Sequence, residues 1–112
     1  MPSNRTPSAS VEHEVEPIAG LDDLAEALTT LRDPQEVSRF LRDLCTLPEL
    51  EALAHRWQTV ILLEQGVPYV EIAERVPTST ATVTRVAQWF RHGTGGYRIA
   101  LERTRRRARG RR

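Results

Sequence analysis

The sequence predicts an all-α fold organised around a helix-turn-helix. Apolar residues recur every three or four positions through most of the chain after Leu21, which is the spacing of amphipathic helices. Hydroxyl and carboxylate side chains stand where these segments begin, as helix-capping residues do. Residues 68–92 divide into two short helical segments separated by about three residues, the spacing of a helix-turn-helix. At 112 residues the chain has room for one domain with a modest core.

Composition favours a soluble, cytoplasmic protein. Hydrophobic residues make up 39% of the chain and charged residues 28%, a mixture typical of globular domains. The longest apolar run, residues 60–63, is far shorter than the roughly 20 residues of a membrane-spanning helix. Residues 1–7 lack the pattern of a secretory signal. Because Cys45 is the single cysteine, we expect neither an internal disulfide nor a zinc site.

Charge is segregated along the chain. Residues 103–112 contain seven of the 16 basic residues and no acid. The other nine basic residues stand against 15 acids, so residues 1–102 carry −6 and the tail +7. Basic tails of this kind are typical of proteins that bind a polyanion. A solubilising, disordered end and a tail folded back onto the acidic body are the alternatives.

Local signals divide the chain into three parts. We expect residues 1–18 to form a disordered tail, because they are rich in Ser, Pro and acids. Residues 19–102 form the helical domain, and residues 103–112 an arginine-rich C-terminal tail. The first helix follows from apolar residues at helical spacing: Leu21, Leu24, Ala25, Leu28 and Leu31.

A second helix is predicted to start after Asp33, an N-cap residue with Pro34 at the first helical position and Glu36 at the third. Cys45 falls on the apolar side of this helix, so we expect a packed rather than a reactive thiol.

The third helix begins at residues 46–48 and ends near Gln65, where Gly66 supplies a left-handed end. Its last turns, residues 60–63, are apolar on all sides. Because so short a chain has little material to cover them, we expect a second subunit to help bury this segment.

The helix-turn-helix is predicted from residues 69–76, an interruption at residues 77–79, and a helix that Ser79 caps and that reaches His92. Inward positions are expected at Ile72, Ala73, Val76, Thr78, Val83 and Val86. From periodicity alone, an ordinary helical hairpin remains an alternative.

The outer face of the second helix favours DNA binding. Its residues near the N-terminus are small, which allows close approach to base edges in a major groove, and Arg85 and Gln88 can bind guanine or adenine. Backbone N–H groups of residues 79–82 can bind a phosphate. An ordinary solvated face is the alternative, but no acid lies between Val76 and Leu101. The projecting residues are Thr80, Ala81, Thr84, Arg85 and Gln88.

Residues 93–96 contain three glycines and can form either an anion-binding nest or a tight link between helices. They lack the Lys-Ser/Thr ending of a P-loop, so we favour the link. A short final helix is expected to follow and to end before the arginine tail. It packs on the core through Tyr97, Ile99, Ala100 and Leu101.

No other residues indicate a chemical site. His13, His55 and His92 are widely spaced, so we predict no metal site. Trp57 and Trp89 are spaced as core residues of their helices. No catalytic arrangement is apparent, and we expect neither an enzyme nor a cofactor.

Several motifs in residues 33–103 resemble the tryptophan-repressor-like family of the YerC/YecD type. They are Leu47-Pro48-Glu49-Leu50, His55-Arg56-Trp57, Tyr69-Val70-Glu71-Ile72-Ala73, Ser79 to Val86 and Gly93 to Tyr97. The resemblance implies an intertwined helical dimer, a repressor role, and DNA contact by Thr80, Ala81 and Thr84. Members that bind tryptophan as corepressor use two arginines, which correspond here to Arg56 and Arg85.

This chain departs from the family pattern at two positions. Val86 stands where tryptophan-binding members have glycine, so we expect the valine to fill the pocket and tryptophan not to bind. Pro77 occupies a turn position where glycine is usual, and proline excludes a left-handed conformation there.

The sequence therefore predicts a homodimeric transcriptional repressor that binds double-stranded DNA. The runner-up is a helical RNA-binding or protein-interaction module that uses the arginine tail, and a small-molecule sensor near Arg56 and Arg85 is a third hypothesis. The predicted DNA contacts are Ser79, Thr80, Ala81, Thr82, Thr84, Arg85, Gln88, Arg105, Arg106 and Arg107.

Overall fold

Six helices make up the regular structure in the computed structural model, which describes residues 16–110. Most of the segment expected to be disordered, residues 1–15, lies outside the described residues. The chain divides between Cys45 and Thr46 into two compact units, the first holding α1 and α2 and the second α3 to α6. The helices are α1 Leu21–Thr29, α2 Pro34–Leu44, α3 Leu47–Glu64, α4 Tyr69–Arg75, α5 Thr80–His92 and α6 Gly96–Gly110.

In the first unit, the starts of both helices are determined locally. Gly20 precedes α1 with a φ of 84°, a left-handed conformation that glycine adopts without strain. Asp33 caps α2 as predicted, since its carboxylate accepts a hydrogen bond from the Glu36 N–H at 2.9 Å. The Glu36 carboxylate in turn accepts from the Arg32 N–H at 2.8 Å. These two bonds satisfy backbone donors around the first turn of α2.

The first unit leaves its apolar side chains incompletely covered. No residue of α1 or α2 is buried. Leu21 is 46% exposed and Leu44 51% exposed, and Cys45, at the C-terminal end of α2, is half-buried. The amphipathic pattern of both helices is therefore present without a closed core around it.

In the second unit, α3 is the longest helix and begins and ends as predicted. Thr46 and Glu49 form a reciprocal capping box: the Thr46 hydroxyl accepts from the Glu49 N–H, and the Glu49 carboxylate accepts from the Thr46 N–H at 2.8 Å. Gly66, with a φ of 82°, follows the C-terminal end. The helix between these two ends is 18 residues long.

The apolar end of α3 is covered within the chain more fully than the sequence suggests. Val60 is fully buried, and Leu62 and Leu63 pack against the core cluster of Ile72, Val76 and Val83 on α4 and α5. Ile61, Leu62 and Leu63 are only half-buried, so the expectation that a second subunit helps to bury residues 60–63 stays a prediction. The more exposed leucines of α3 are Leu47 and Leu53, in its N-terminal half.

The last helix is longer than predicted. The sequence indicates a short helix that ends before the arginine tail, whereas α6 continues through Arg109 to Gly110. Residues 93–95 form the link to α5, as favoured from the sequence, and Gly95 has a φ of 96°. The arginines of the tail up to Arg109 therefore lie on a helix, at fixed angles to one another.

None of the helices in residues 16–110 is long and apolar enough to span a bilayer.

Candidate nucleic-acid interface

A small core holds α4 and α5 together. Ile72 and Val83 are fully buried, and Val76 is 3% exposed. Ala73 is half-buried and packs against this cluster, where a small side chain lets two helices approach closely. The inward positions predicted on both helices are thereby confirmed, and the orientation of α5 is determined by buried contacts.

The turn between the two helices contains no left-handed residue. In residues 16–110 a positive φ occurs only at glycines, and Val76 at the end of α4 is extended, with φ −106° and ψ 113°. Pro77 fits this turn because its ring restricts φ to negative values. The chain therefore turns into α5 without a left-handed residue, as the presence of Pro77 requires.

Ser79 caps the N-terminus of α5. Its hydroxyl oxygen accepts a hydrogen bond from the Thr82 N–H at 3.1 Å and its O–H donates to the Thr82 hydroxyl at 3.1 Å. The first backbone bond of the helix is Val83 N–H to Ser79 carbonyl. The N–H groups of Thr80 and Ala81 precede that bond, so they lie at the positively polarised end of the helix.

Thr82 is less accessible than the other side chains of α5 predicted to contact DNA. It is half-buried, and both its amide and its hydroxyl take part in the Ser79 cap. DNA contact by Thr82 therefore stays a prediction, and the exposed surface described next does not include it.

The predicted outer face of α5 is solvent-exposed. The Thr84 hydroxyl donates to the Thr80 carbonyl oxygen at 2.9 Å, which leaves its oxygen able to accept a further hydrogen bond. Together with the acid-free sequence around it, this exposure produces a face of small, hydroxyl, amide and guanidinium groups. Its exposed residues are Thr80, Ala81, Thr84, Arg85 and Gln88.

Aromatic contacts dock α6 on the rest of the second unit. The rings of Trp57 on α3 and Tyr97 on α6 have centroids 6.3 Å apart, at an interplanar angle of 35°. The guanidinium of Arg98 lies 4.6 Å from the centre of the Phe90 ring on α5, within the range of a cation–π contact. Both contacts involve the first turn of α6.

Two of the three tail arginines predicted to bind DNA are engaged by carboxylates. Arg105 contacts Glu64 on α3 at 2.5 Å and approaches Glu102 at 3.8 Å. Arg106 donates to Glu102 at 2.9 Å. The hydrogen bond and the charge of Arg106 lower the pKa of Glu102, with lesser contributions from the charges of Arg105 and Arg109, and they outweigh the opposing effect of desolvation. Arg107 is exposed and takes part in none of the ion pairs of residues 16–110.

A cavity of about 530 Å³ opens between α3, the turn and α5. Arg56 and Arg85 both line it, as the hypothesis of a small-molecule site requires. The expectation that Val86 fills this pocket is wrong: Val86 is 4% exposed and packs into the body of the unit, so it forms part of the wall. Other lining residues are His55, Trp89 and Tyr97.

The prediction of Trp89 as a core residue is also wrong, since this side chain is 64% exposed. The buried positions on α5 are Val83, Val86 and Ala87. Continuing that stripe by one turn leads to Phe90, which is half-buried, so Trp89 falls on the same side as Arg85. Once Val83, Val86 and Ala87 are assigned to the core, helical spacing separates Trp89 from them, and the packing of α3 against α5 places it beside the cavity.

Within residues 16–110 no group of His, Cys, Asp and Glu side chains is arranged to hold a metal ion. His13 lies outside the described residues.

Comparison with known proteins identifies the family. The family model described as Trp repressor protein matches residues 19–105, which is most of the chain. The chain belongs to the Trp repressor family. It is also 37% identical over 83 residues to the uncharacterized protein YerC of Bacillus subtilis, covering 74% of this chain and 80% of that protein.

Solved structures agree on the all-helical fold. A TrpR-like protein from Eubacterium eligens has a TM-score of 0.73 at 32% identity, covering 78% of this chain and 90% of the other. A protein of Staphylococcus aureus has a TM-score of 0.74 at 35% identity, covering 80% and 89%. The resemblance predicted from the motifs is thereby confirmed, and membership of the Trp repressor family points to a DNA-binding regulator.

Proposed function

We propose that this Trp repressor family protein is a homodimeric, sequence-specific repressor of transcription that binds the major groove of DNA with α5. The observation that carries the proposal is the outer face of α5, which is exposed, free of acids and held at a defined angle by a buried core. A helix of this kind is the element that helix-turn-helix proteins place in the groove.

The exposed side chains of α5 have different expected roles at the start of the helix and further along it. Thr80 and Ala81 are small and allow the N-terminal end to approach bases, with methyl groups that can contact a thymine methyl. Arg85 can bind guanine and Gln88 adenine through paired hydrogen bonds. The N–H groups of Thr80 and Ala81, next to the Ser79 cap, would bind a backbone phosphate and determine the register of the helix on the duplex.

Dimerisation is supported by the first unit. Both of its helices are amphipathic, yet neither contains a buried residue. A second copy of the chain would cover the apolar side chains that remain exposed there, Leu21, Leu28 and Leu44. Sedimentation equilibrium of the purified protein tests this part: we expect a dimer, and a folded monomer would contradict it.

The recognition helix is tested by selecting duplexes from a random library with the full-length protein. We expect an enriched palindromic site, because a symmetric dimer presents two copies of α5. Thr84→Ala and Gln88→Ala should each change the preferred bases at one position of each half-site. Glu74→Gln on α4 is the control and should leave the preference unchanged. Enrichment of no site would contradict the proposal.

The cavity beside α5 supports a second, finer proposal: that a small anionic molecule binds between Arg56 and Arg85 and alters DNA affinity. Neither arginine takes part in the ion pairs of residues 16–110, so both guanidinium groups are available to a carboxylate. Because Val86 lines the cavity without filling it, tryptophan stays among the candidate ligands. Calorimetry with a panel of amino acids tests this, and absence of any binding heat would remove the proposal.

A further inference from the structure

Helix α6 presents two faces of different charge balance. Six arginines lie on it, against a single acid, Glu102. At 3.6 residues per turn, Arg105 and Arg109 lie with Glu102 on one side, with Arg106 at its edge. Arg103 and Arg107 lie one turn apart on another side.

Carboxylates balance part of the positive charge on the face that carries Arg105 and Arg109. Glu64 binds Arg105 from the end of α3, and Glu102 binds Arg106 and approaches Arg105. Because Glu64 lies 41 residues before Arg105, this contact connects the middle of α6 to α3. Arg105 therefore holds α6 to its own unit, Arg106 pairs within α6, and the charge of Arg109 also acts on Glu102.

The second face has no such compensation. Arg103 and Arg107 are exposed, and neither takes part in the ion pairs of residues 16–110. Like charges four residues apart destabilise a helix by about 0.2–0.5 kcal/mol. The backbone positions of the two arginines are separated by about 6 Å of helical rise. Anions bound beside both arginines would offset this repulsion. Guanidinium groups bind phosphates well, because they donate paired hydrogen bonds to them.

We propose that Arg103 and Arg107 bind backbone phosphates of the same DNA duplex that α5 contacts, as a second, sequence-independent anchor. This inference rests on the proposed function, and it replaces Arg105 and Arg106 as the tail residues that contact DNA. Duplex DNA is the favoured partner because α5 and α6 belong to one compact unit whose segment from Val76 to Leu101 lacks acids.

Two variants that remove the same charge test the assignment. R103Q/R107Q removes both positive charges of the face that has no acidic partner. R106Q/R109Q removes two positive charges from the face that carries Glu102, and it leaves the Arg105–Glu64 contact in place. Binding of a random-sequence duplex is measured by fluorescence anisotropy between about 50 and 200 mM salt. Circular dichroism of each variant verifies that α6 remains helical.

We expect R103Q/R107Q to reduce the slope of log affinity against log salt by about two units for each copy of the chain on the duplex. R106Q/R109Q should leave the slope within about half a unit of the unmodified protein. Equal changes in both variants would show that only net charge matters and would overturn the assignment. No change in either would show that α6 does not contact DNA.

The two proposals fail in distinguishable ways. If the unmodified protein selects a site but both variants keep its salt slope, the anchor is wrong and the function of α5 stands. If the unmodified protein binds no duplex but binds a structured RNA, both proposals are overturned and the arginine face belongs to an RNA-binding surface.

Discussion

Arg105 on α6 contacts Glu64 at the C-terminal end of α3, across 41 residues of sequence. The two side chains are 45% and 38% exposed, so water screens their attraction in part. A double-mutant cycle of Glu64→Gln and Arg105→Gln, measured by urea unfolding, should give a coupling free energy of about 0.2–1 kcal/mol.

The matched control for that cycle pairs Glu64→Gln with Arg103→Gln on the other face of α6, and should show no coupling. The Glu64–Arg105 coupling should also decrease at high salt. An equal coupling for Arg103 would mean that α6 is held by general charge attraction and not by this contact.

Gly93 lies against the end of α5. A Cβ atom at this position would stand 2.5 Å from the carbonyl oxygen of Trp89. Gly93→Ala should therefore destabilise the protein by about 1–3 kcal/mol, the usual cost of forcing an atom into packed structure. Gly96→Ala is the control, since nothing lies within 4 Å of the position that its Cβ would take. Equal unfolding midpoints for the two variants would contradict the close approach.

The Ser79 cap is expected to contribute to the stability of the recognition helix. Ser79→Ala removes the acceptor of the Thr82 N–H and should cost about 0.5–2 kcal/mol. Ser79→Asn keeps a capping oxygen without adding charge, so it should restore most of that free energy. Thermal or urea unfolding measures both, and an unchanged Ser79→Ala variant would mean that the cap contributes nothing.

The pKa of Glu102 connects the stability of α6 to pH. Its folded pKa is lowered, first by the hydrogen bond and charge of Arg106, so the unfolded chain binds the proton more tightly. The stabilising effect is therefore complete above the ordinary pKa of 4.5 and is lost as the pH falls through the lower folded pKa. Carbon NMR of the Glu102 carboxyl should show the lowered midpoint, and Arg106→Gln should move it upward. An unshifted midpoint would contradict the pairing.

The helix starts were predictable because their causes are local. Asp33, Thr46 and Ser79 each accept a hydrogen bond from an amide three residues ahead, so a short stretch of sequence contains the whole interaction. The outer face of α5 was predictable for the same reason. Once Ile72, Val76 and Val83 are assigned to the core, helical spacing determines which residues remain outside.

The errors arose where distant parts of the chain meet. The sequence predicts that the arginine tail leaves the helical domain, because Glu102 is the only acid near it in sequence. The acid that binds Arg105 belongs to α3 and is distant in sequence. The cavity beside Val86 depends on how α3 and α5 pack, which periodicity does not determine. The error at Trp89 is local: its spacing was taken as that of a core residue, whereas it lies on the Arg85 side of α5, away from the buried Val83 and Val86.

The central claim is that the outer face of α5 meets duplex DNA, and Ala81→Glu tests it most directly. Ala81 is exposed near the start of α5, so a glutamate there should fold normally but meet the phosphates and bases with a like charge, which costs several kcal/mol at an interface. Gln35→Glu on α2 adds the same charge at another exposed position.

The measurement is the affinity of both variants for the duplex selected by the unmodified protein. We predict that Ala81→Glu weakens binding by more than about a hundredfold, while Gln35→Glu stays close to the unmodified protein. Full affinity of a folded Ala81→Glu variant would contradict a role for this face in DNA binding.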